Sequence, residues 1–540
     1  MNLEKLRSVV RDALGKHLYS SAIFFADKLV TVSGAAASDV YLLAQAYYLS
    51  KQYQRALHLL RQEHLLTADD RFKYLAARCL AELKEWDECL VMLGDDESLA
   101  EQSGQASEGE SMELNGEGRE INIVAANCLL RGRAFEALDN RTKALFWYKA
   151  TLRADPYCYE AFEHLFDNRM LSADAEAKLL DSLKFPAEDR WLALLYQCKS
   201  VKFGQRLFEE RAVELERSAD DAPSTSGSDG WGLRGNGDLL ACRADNLYHR
   251  AEYQQCYDLT KSVLERDPYH LACMPVHVAA ALELRRKNEL FLLAHKLVQE
   301  YPQKAVAWFA VGAYYSCIRN YDSARRYFAK STSLDSSFAP AWLGFGNAFA
   351  AQDESDQAMA AYRTAARLFP GCHLPSLCIG IEYQKTNNLN LAEQFLKDAQ
   401  KLCPQDPLIY NELGVLSYRN KDHRKAESWL RKALSLAPEP LTDAWEATCV
   451  NLGHALRKQR KYAEAIDWYD KALGLCPRSA STYAALGYTH HLMDQLTLAI
   501  EYYHKALGLK ADDTFTAEML TRALEDEGAR FGMGGGEEFL

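Results

Sequence analysis

The chain has 540 residues, 48% of them apolar, and a formal net charge of −12. That excess of acid argues against a general binder of phosphate backbones, which needs clustered Lys and Arg, so nucleic acid is not an expected partner. No apolar run reaches the roughly 18 residues of a spanning helix, and the 14 cysteines are scattered without a C-x-x-C; no membrane partner is expected, and the thiols read as reduced small hydrophobes.

In chain order, "MNLEKLRSVVRDALGKHLYSSAIFFADKLV" is an amphipathic helical pair with charges throughout, without the apolar core and small-residue cleavage site of a secretory signal. It opens a loosely spelled array over 1–94, with frames near Leu3 (Ala22, Ala26), Ala37 (Leu43, Ala44, Tyr47, Ala56, Leu60) and Asp70 (Ala77, Cys89, Leu93). Residues 95–120 are acidic, rich in Ser and Gly and nearly free of large apolar residues, so a disordered loop is expected there. The array resumes over 121–216 from Ala125 (Gly132, Phe135, Ala144, Tyr148, Pro156) and ends in degenerate helices; Asn140 matches a glycosylation sequon that means nothing without secretion. Residues 217–237 have linker composition around a lone Trp231.

From 238 to 527 the spelling becomes regular. In "APAWLGFGNAFAAQDESDQAMAAYRTAARLFP", with Ala339 as position 1, Trp342, Phe345, Gly346 and Phe349 fall at positions 4, 7, 8 and 11, Ala358, Tyr362 and Ala365 at 20, 24 and 27, and Pro370 at 32. The same offsets return every 34 residues, as in Gly380 with Ala392 and Pro404, then Gly414 with Ala426 and Pro438, and after an insertion at "EPLTDAWE" in Gly453 and Gly487. Positions 4, 7, 8 and 11 make one stripe of a first helix, and 20, 24 and 27 one stripe of a second. Small residues at 8 and 20 are expected to let two antiparallel backbones approach, with large residues at 4, 11 and 24 around the contact, and proline at 32 stops the second helix. This period and these offsets are those of the tetratricopeptide repeat, so the fold is an all-α superhelix of helix pairs in two arrays, closed by a tail over 528–540 that is expected to be disordered.

No catalytic constellation emerges. Gly344, Gly346 and Phe349 imitate a dinucleotide fingerprint but lie inside a helix. Cys372 with His373, and His490 with His491, lack metal-ligand spacing; no cofactor, metal or enzymatic activity is expected. The remaining functional surface is the concave wall of first helices, which suits an extended or helical peptide. Positions 2, 5, 6, 9, 12 and 13 should face it, giving Asn347, Gln384, Asn411, Glu412, Tyr418, Asn451, His454, Arg457 and Tyr488 as candidate groove residues. At the other end the first repeat has no polar capping helix, so "AIFFADKLV" leaves Phe24 and Phe25 partly bare; a homodimer through this surface is expected.

The blocks "YSSAIFFADKL", "LDNRTKALFWYKATLRADPYCYEAFEHL", "RDPYHLACMPVH", "KNELFLLAHKLV", "DQAMAAYRTAARLFPGCHLP" and "KALGLKADDTFT" resemble the cell division cycle protein 16 family over nearly the whole chain. The resemblance implies a non-catalytic scaffold subunit of the anaphase-promoting complex, a multi-protein ubiquitin ligase of mitotic exit, found in nucleus and cytoplasm. It also implies homodimerisation through N-terminal repeats and a C-terminal superhelix enclosing the N-terminus of a small companion subunit. The segments 95–120 and 217–237 depart from the family pattern, and no Ser-Pro or Thr-Pro dipeptide is present for proline-directed phosphorylation. A co-chaperone-like adaptor for peptide termini would need paired Lys and Asn on inward faces of neighbouring repeats, and a repeat-bearing glycosyltransferase a large α/β domain after them. Neither feature is present.

Overall fold

The computed structural model describes residues 2–61, 66, 69–94, 121–200, 205–217 and 232–534. The segment 95–120, Trp231 with most of the 217–237 stretch, and residues 535–540 lie outside the described residues. The chain packs as two compact units, Met1–Ala193 and Leu194–Leu540, so the division falls before the linker-like stretch. The expected tail boundary at 528 also falls inside a helix, Thr514–Gly534.

In the first unit, helices pair in sequence: Leu3–Gly15 with Tyr19–Ser33, Ala37–Leu49 with Tyr53–Leu60, Asp70–Glu82 with Trp86–Leu93, and Ile123–Ala137 with Arg141–Ala154, followed by the shorter Tyr159–Asp167, which packs on Arg141–Ala154, and Ala173–Ser182. Asn2, Asp69, Asn122 and Asn140 each accept a backbone N–H from the first turn that follows, satisfying a donor the helix itself cannot. The first helix is tied to the third by Arg7, whose Nε and Nη2 donate to the two carboxylate oxygens of fully buried Asp39 at 2.8 and 2.9 Å.

The second unit begins within the helix Arg190–Ser200, continues with Gln205–Glu216 and then holds the regular array. Its pairs are Gly237–His249 and Tyr253–Arg266, Met274–Glu283 and Lys287–Glu300, Ala305–Cys317 and Tyr321–Leu334, Ala339–Ala350 and Ser355–Leu368, and Leu374–Lys385 and Leu389–Leu402. Pro407–Arg419 and His423–Leu436, Glu446–Lys458 and Tyr462–Leu475, and Ala480–Leu492 and Leu496–Leu509 follow. Second helices end at Leu368, Leu402, Leu436 and Leu475, two residues before a proline each time, whereas Pro340, Pro375 and Pro407 open first helices, where a missing N–H is harmless.

The contact between paired helices differs in one respect from the sequence expectation. The position-8 glycine is covered by the side chain at position 24 rather than meeting position 20 alone: a Cβ on Gly453 would lie 2.5 Å from Tyr469 Cε1, and one on Gly414 would lie 2.6 Å from Leu430 Cγ. The carbonyl of the position-20 alanine is farther, 3.5 Å from such a Cβ on Gly380. A flat ring or a leucine therefore occupies the volume a side chain would need, and Tyr362, Leu430, Tyr469, Tyr503 and Phe328 are each no more than 2% exposed.

Turns inside the pairs share a second device. Arg319, Asp353, Asn387, Lys421, Arg460 and Asp494 all have φ between 60 and 67°, a left-handed conformation in which the chain reverses between two helices. Because none is a glycine, the reversal is held by the helix contacts on both sides and leaves side chains of varied chemistry along one edge of the array.

Candidate peptide-binding groove

Curvature follows from which helices touch. Each first helix from Gly237–His249 to Ala480–Leu492 contacts the next first helix, while contacts between successive second helices are slighter. A stack in which one layer is closer together bends toward that layer, so first helices line the concave wall. The array also returns on itself: Thr442 Oγ1, in the insertion, donates at 3.4 Å to the carbonyl of Ala251, 191 residues earlier. Burial, Glu283 and Asp406 together raise the Tyr253 phenol well above its usual range, which puts residues of the first repeat and of a repeat four further on within electrostatic reach.

The nine sequence-derived groove residues fall along this wall, and the structure links most of them. Gln384 Nε2 donates to the Glu412 carbonyl at 3.2 Å, Asn411 Nδ2 to Glu412 Oε1 at 3.0 Å, and Asn451 Nδ2 to Asn411 Oδ1 at 3.3 Å, so three successive first helices are stitched by one polar line. A second row follows on the same wall, where Arg457 lies 4.7 Å from the Tyr488 ring centroid and Tyr488 meets Phe515 edge-on. Tyr418 packs at an angle against His423.

Two of the nine, Gln384 and Asn411, are 3% and 9% exposed and already engaged with neighbouring helices; they shape the wall more than they face a ligand. Asn347 is exposed and accepts from the Tyr362 hydroxyl at 2.6 Å, while Glu412, His454, Arg457 and Tyr488 stay partly open. His454 Nδ1 meets the Tyr469 hydroxyl at 2.7 Å. A buried tyrosine at position 24 thus holds a polar side chain at position 9 on the groove side.

The concave wall disfavours charge. Burial pushes the Glu412 carboxyl up against the pull of the Asn411 hydrogen bond, and burial likewise raises Glu283. Burial, with Arg457 adding to it, pushes the His454 imidazole down to about 4, so the ring is neutral near pH 7. Neutral hydrogen-bonding groups, aromatic faces and two carboxyls reluctant to ionise can fix a peptide backbone and hold its apolar or basic side chains.

The histidines set aside in the sequence sit in structural roles. His373 Nε2 meets Asp406 Oδ2 at 2.8 Å in the interior, His490 Nδ1 pairs with Gln495 at 2.7 Å, and His491 Nε2 with Asp526 at 3.1 Å. Among the described residues, no cluster of three or more His, Cys, Asp or Glu is placed to hold a metal ion. No described helix is long and apolar enough to cross a membrane. At the N-terminal end Phe24 is 58% exposed, with Leu18 and Val32 also bare, while Phe25 is half-buried.

Family models for tetratricopeptide repeats match residues 318–371, 408–440, 453–494 and 480–513, and the model "Anaphase-promoting complex, cyclosome, subunit 3" matches residues 15–96. The chain is 52% identical to anaphase-promoting complex subunit 6 of Arabidopsis thaliana over 97% of both chains. It is 41% identical to the cell division cycle protein 16 homolog of Homo sapiens, over 97% of this chain and 84% of that one. Among solved structures, the crystal structure of the APC/C hetero-tetramer Cut9-Hcn1 superposes with a TM-score of 0.79 at 35% identity, covering 97% of this chain and 96% of that one. The subunit 3 model covers only an N-terminal portion, whereas these relatives run the length of both units, and with them the chain belongs to the cell division cycle protein 16/anaphase-promoting complex subunit 6 family of non-catalytic tetratricopeptide scaffolds.

Proposed function

We propose that this chain is a scaffold in a ubiquitin ligase of mitotic progression, acting in nucleus and cytoplasm, joined to a second copy through its N-terminal repeats and holding the N-terminal segment of a small companion subunit in its C-terminal groove. The observation that carries the reading is the pair of contact rows on the concave wall, Gln384 through Glu412 and Asn411 to Asn451, and Arg457 through Tyr488 to Phe515, in an array whose Thr442 insertion reaches back to Ala251. It is supported by the similarity to a structure described as a hetero-tetramer of two kinds of chain, an assembly that two-fold symmetry builds from one self-complementary patch per scaffold. The exposed Phe24, Leu18 and Val32 supply such a patch. No structural observation favours the adaptor reading.

Co-expression of the full chain with the tagged small subunit of the same species tests both halves. Light scattering on the purified complex is expected to give two scaffolds and two small chains. Arg457→Glu with Tyr488→Ala lowers capture of the small chain by about tenfold or more, the effect of removing a central anchor, and leaves the scaffold pair intact. Undiminished capture overturns the groove assignment, and a scaffold that is monomeric at micromolar concentration overturns the dimer.

A further inference from the structure

Two neighbouring turns of the second unit, "RNKDHRK" at 419–425 and "RKQRK" at 457–461, are strongly basic in a chain of net charge −12. The structure brings them side by side: Gln459 Nε2 donates to the His423 carbonyl and to Glu427 Oε2, both at 2.9 Å, and Lys461 Nζ reaches Glu427 Oε2 at 3.0 Å. Between them is a recess of about 520 Å³ lined by Arg424, Glu427, Gln459 and Lys461. Glu427 is already neutralised by Lys461 and by Arg431, whose Nε donates to it at 2.9 Å.

What is left over is positive. The side chains of Lys421, Arg424, Lys458 and Arg460 are exposed and make no hydrogen bond or ion pair among the described residues. Lys421 and Arg460 occupy the equivalent left-handed turn position in their repeats, with φ of 64 and 63°, so both project from the same edge of the array. The second helices His423–Leu436 and Tyr462–Leu475 start directly after these turns; the first is capped by the Asp422 carboxylate, which accepts from the Lys425 N–H, so the second alone adds the uncapped positive end of a helix dipole. The Tyr462–Leu475 helix has Lys461 at its N-cap, with no side-chain acceptor for its first N–H groups.

We propose that this edge docks an extended, Asp/Glu-rich segment of another protein chain, at a surface separate from the concave groove. Four unpaired cations set around an already neutral carboxylate match an acidic segment by charge complementarity. Adjacent helix layers are about 10 Å apart, a distance that about three extended residues cover, so the favoured ligand carries a carboxylate at every third position. The basic patch is confined to two turns, with Asp422 and Glu464 beside it. Those two acids are themselves paired with Lys425 and Arg431, and a basic patch only two turns long in a chain of net charge −12 gives a continuous phosphate backbone no further track to follow, so nucleic acid fits this edge poorly.

The test uses the full chain and a fluorescein-labelled twelve-residue peptide with Glu at every third position and Gly and Ser between. Expected are saturable anisotropy binding, loss of binding by the Gln-for-Glu peptide, and weakening by about fivefold or more when salt is raised from low to above-physiological ionic strength. The variant with Lys421, Arg424, Lys458 and Arg460 all changed to Glu loses about tenfold or more in affinity, and the same four changed to Gln give an intermediate loss. Reversing Lys261, Lys304, Lys401 and Lys510 instead, the same change in net charge, leaves binding within about twofold, and circular dichroism melting shows whether each variant is folded. Absence of binding, an equal loss from the control set, or tighter binding of a twelve-nucleotide oligothymidylate than of the peptide each overturns the proposal.

Discussion

Gly346→Leu is expected to lower the stability of its repeat by about 3 kcal/mol, and even Gly346→Ala by about 1 to 2 kcal/mol. The sign is the informative part, because glycine to alanine inside a helix ordinarily stabilises by about 1 kcal/mol. Here the added Cβ would lie 2.6 Å from Tyr362 Cδ1 and 2.8 Å from Cζ, against a ring that is 2% exposed and enclosed on its other sides. The ring cannot withdraw: its hydroxyl is held by Asn347 Oδ1 at 2.6 Å. Gly474 and Gly508 are also helical glycines, with nothing within 4 Å of a built Cβ, and alanine there should stabilise by about 0.5 to 1 kcal/mol. Because a repeat array opens in parts, the readout is urea unfolding together with amide exchange in the helix Ala339–Ala350. Combining Gly346→Ala with Tyr362→Ala should cost less than the sum of the two, since the second change removes the obstacle to the first. Equal effects at Gly346 and Gly508 would refute the steric account.

The repeat was legible in the sequence because packing demands the same residue sizes at the same offsets, and glycine, alanine and proline are conspicuous where they recur. Other features are made by residues without a shared type. The left-handed turn position holds Asp353, Asn387, Lys421 and Arg460 in successive repeats, so its geometry is invisible in composition, and with it the edge on which the free cations gather. A whole-chain charge of −12 conceals that edge entirely. The contact of Thr442 with Ala251 spans 191 residues and depends on the accumulated curvature of the repeats between them, which no local pattern encodes. Helix geometry identified the inward positions, but only the stacked neighbours reveal that Gln384 and Asn411 are tied to adjacent helices while His454, Arg457 and Tyr488 stay partly open. The bare Phe24 was readable from the first repeat, whereas the Arg7 link to buried Asp39 that fixes the helix beside it joins two residues that sequence alone does not pair.

Tyr469→Ala carries the other large effect, because this residue serves both the core and the groove. Its ring is fully buried over Gly453, and removing it leaves a void that the facing glycine cannot fill, at about 3 to 5 kcal/mol for an aromatic of this size. The hydroxyl is separable from the ring. Tyr469→Phe keeps the packing but leaves His454 Nδ1 without the partner it meets at 2.7 Å, a loss of about 1 kcal/mol. Tyr503 supplies the internal control: it has the same position in its repeat and the same full burial, yet its hydroxyl has no hydrogen-bond partner among the described residues, because Tyr488 stands where His454 stands. Tyr503→Phe should therefore be neutral, or stabilising by a few tenths of a kcal/mol, since it removes an unsatisfied buried group. Chemical denaturation of the three variants measures the stability terms, and capture of the small subunit measures the groove term. Tyr469→Phe should weaken capture by letting the imidazole turn from its fixed orientation, while Tyr503→Phe should not. If the two phenylalanine variants behave alike in both measurements, the position-24 hydroxyl does not organise the groove wall, and the link from core packing to partner binding is broken at that residue.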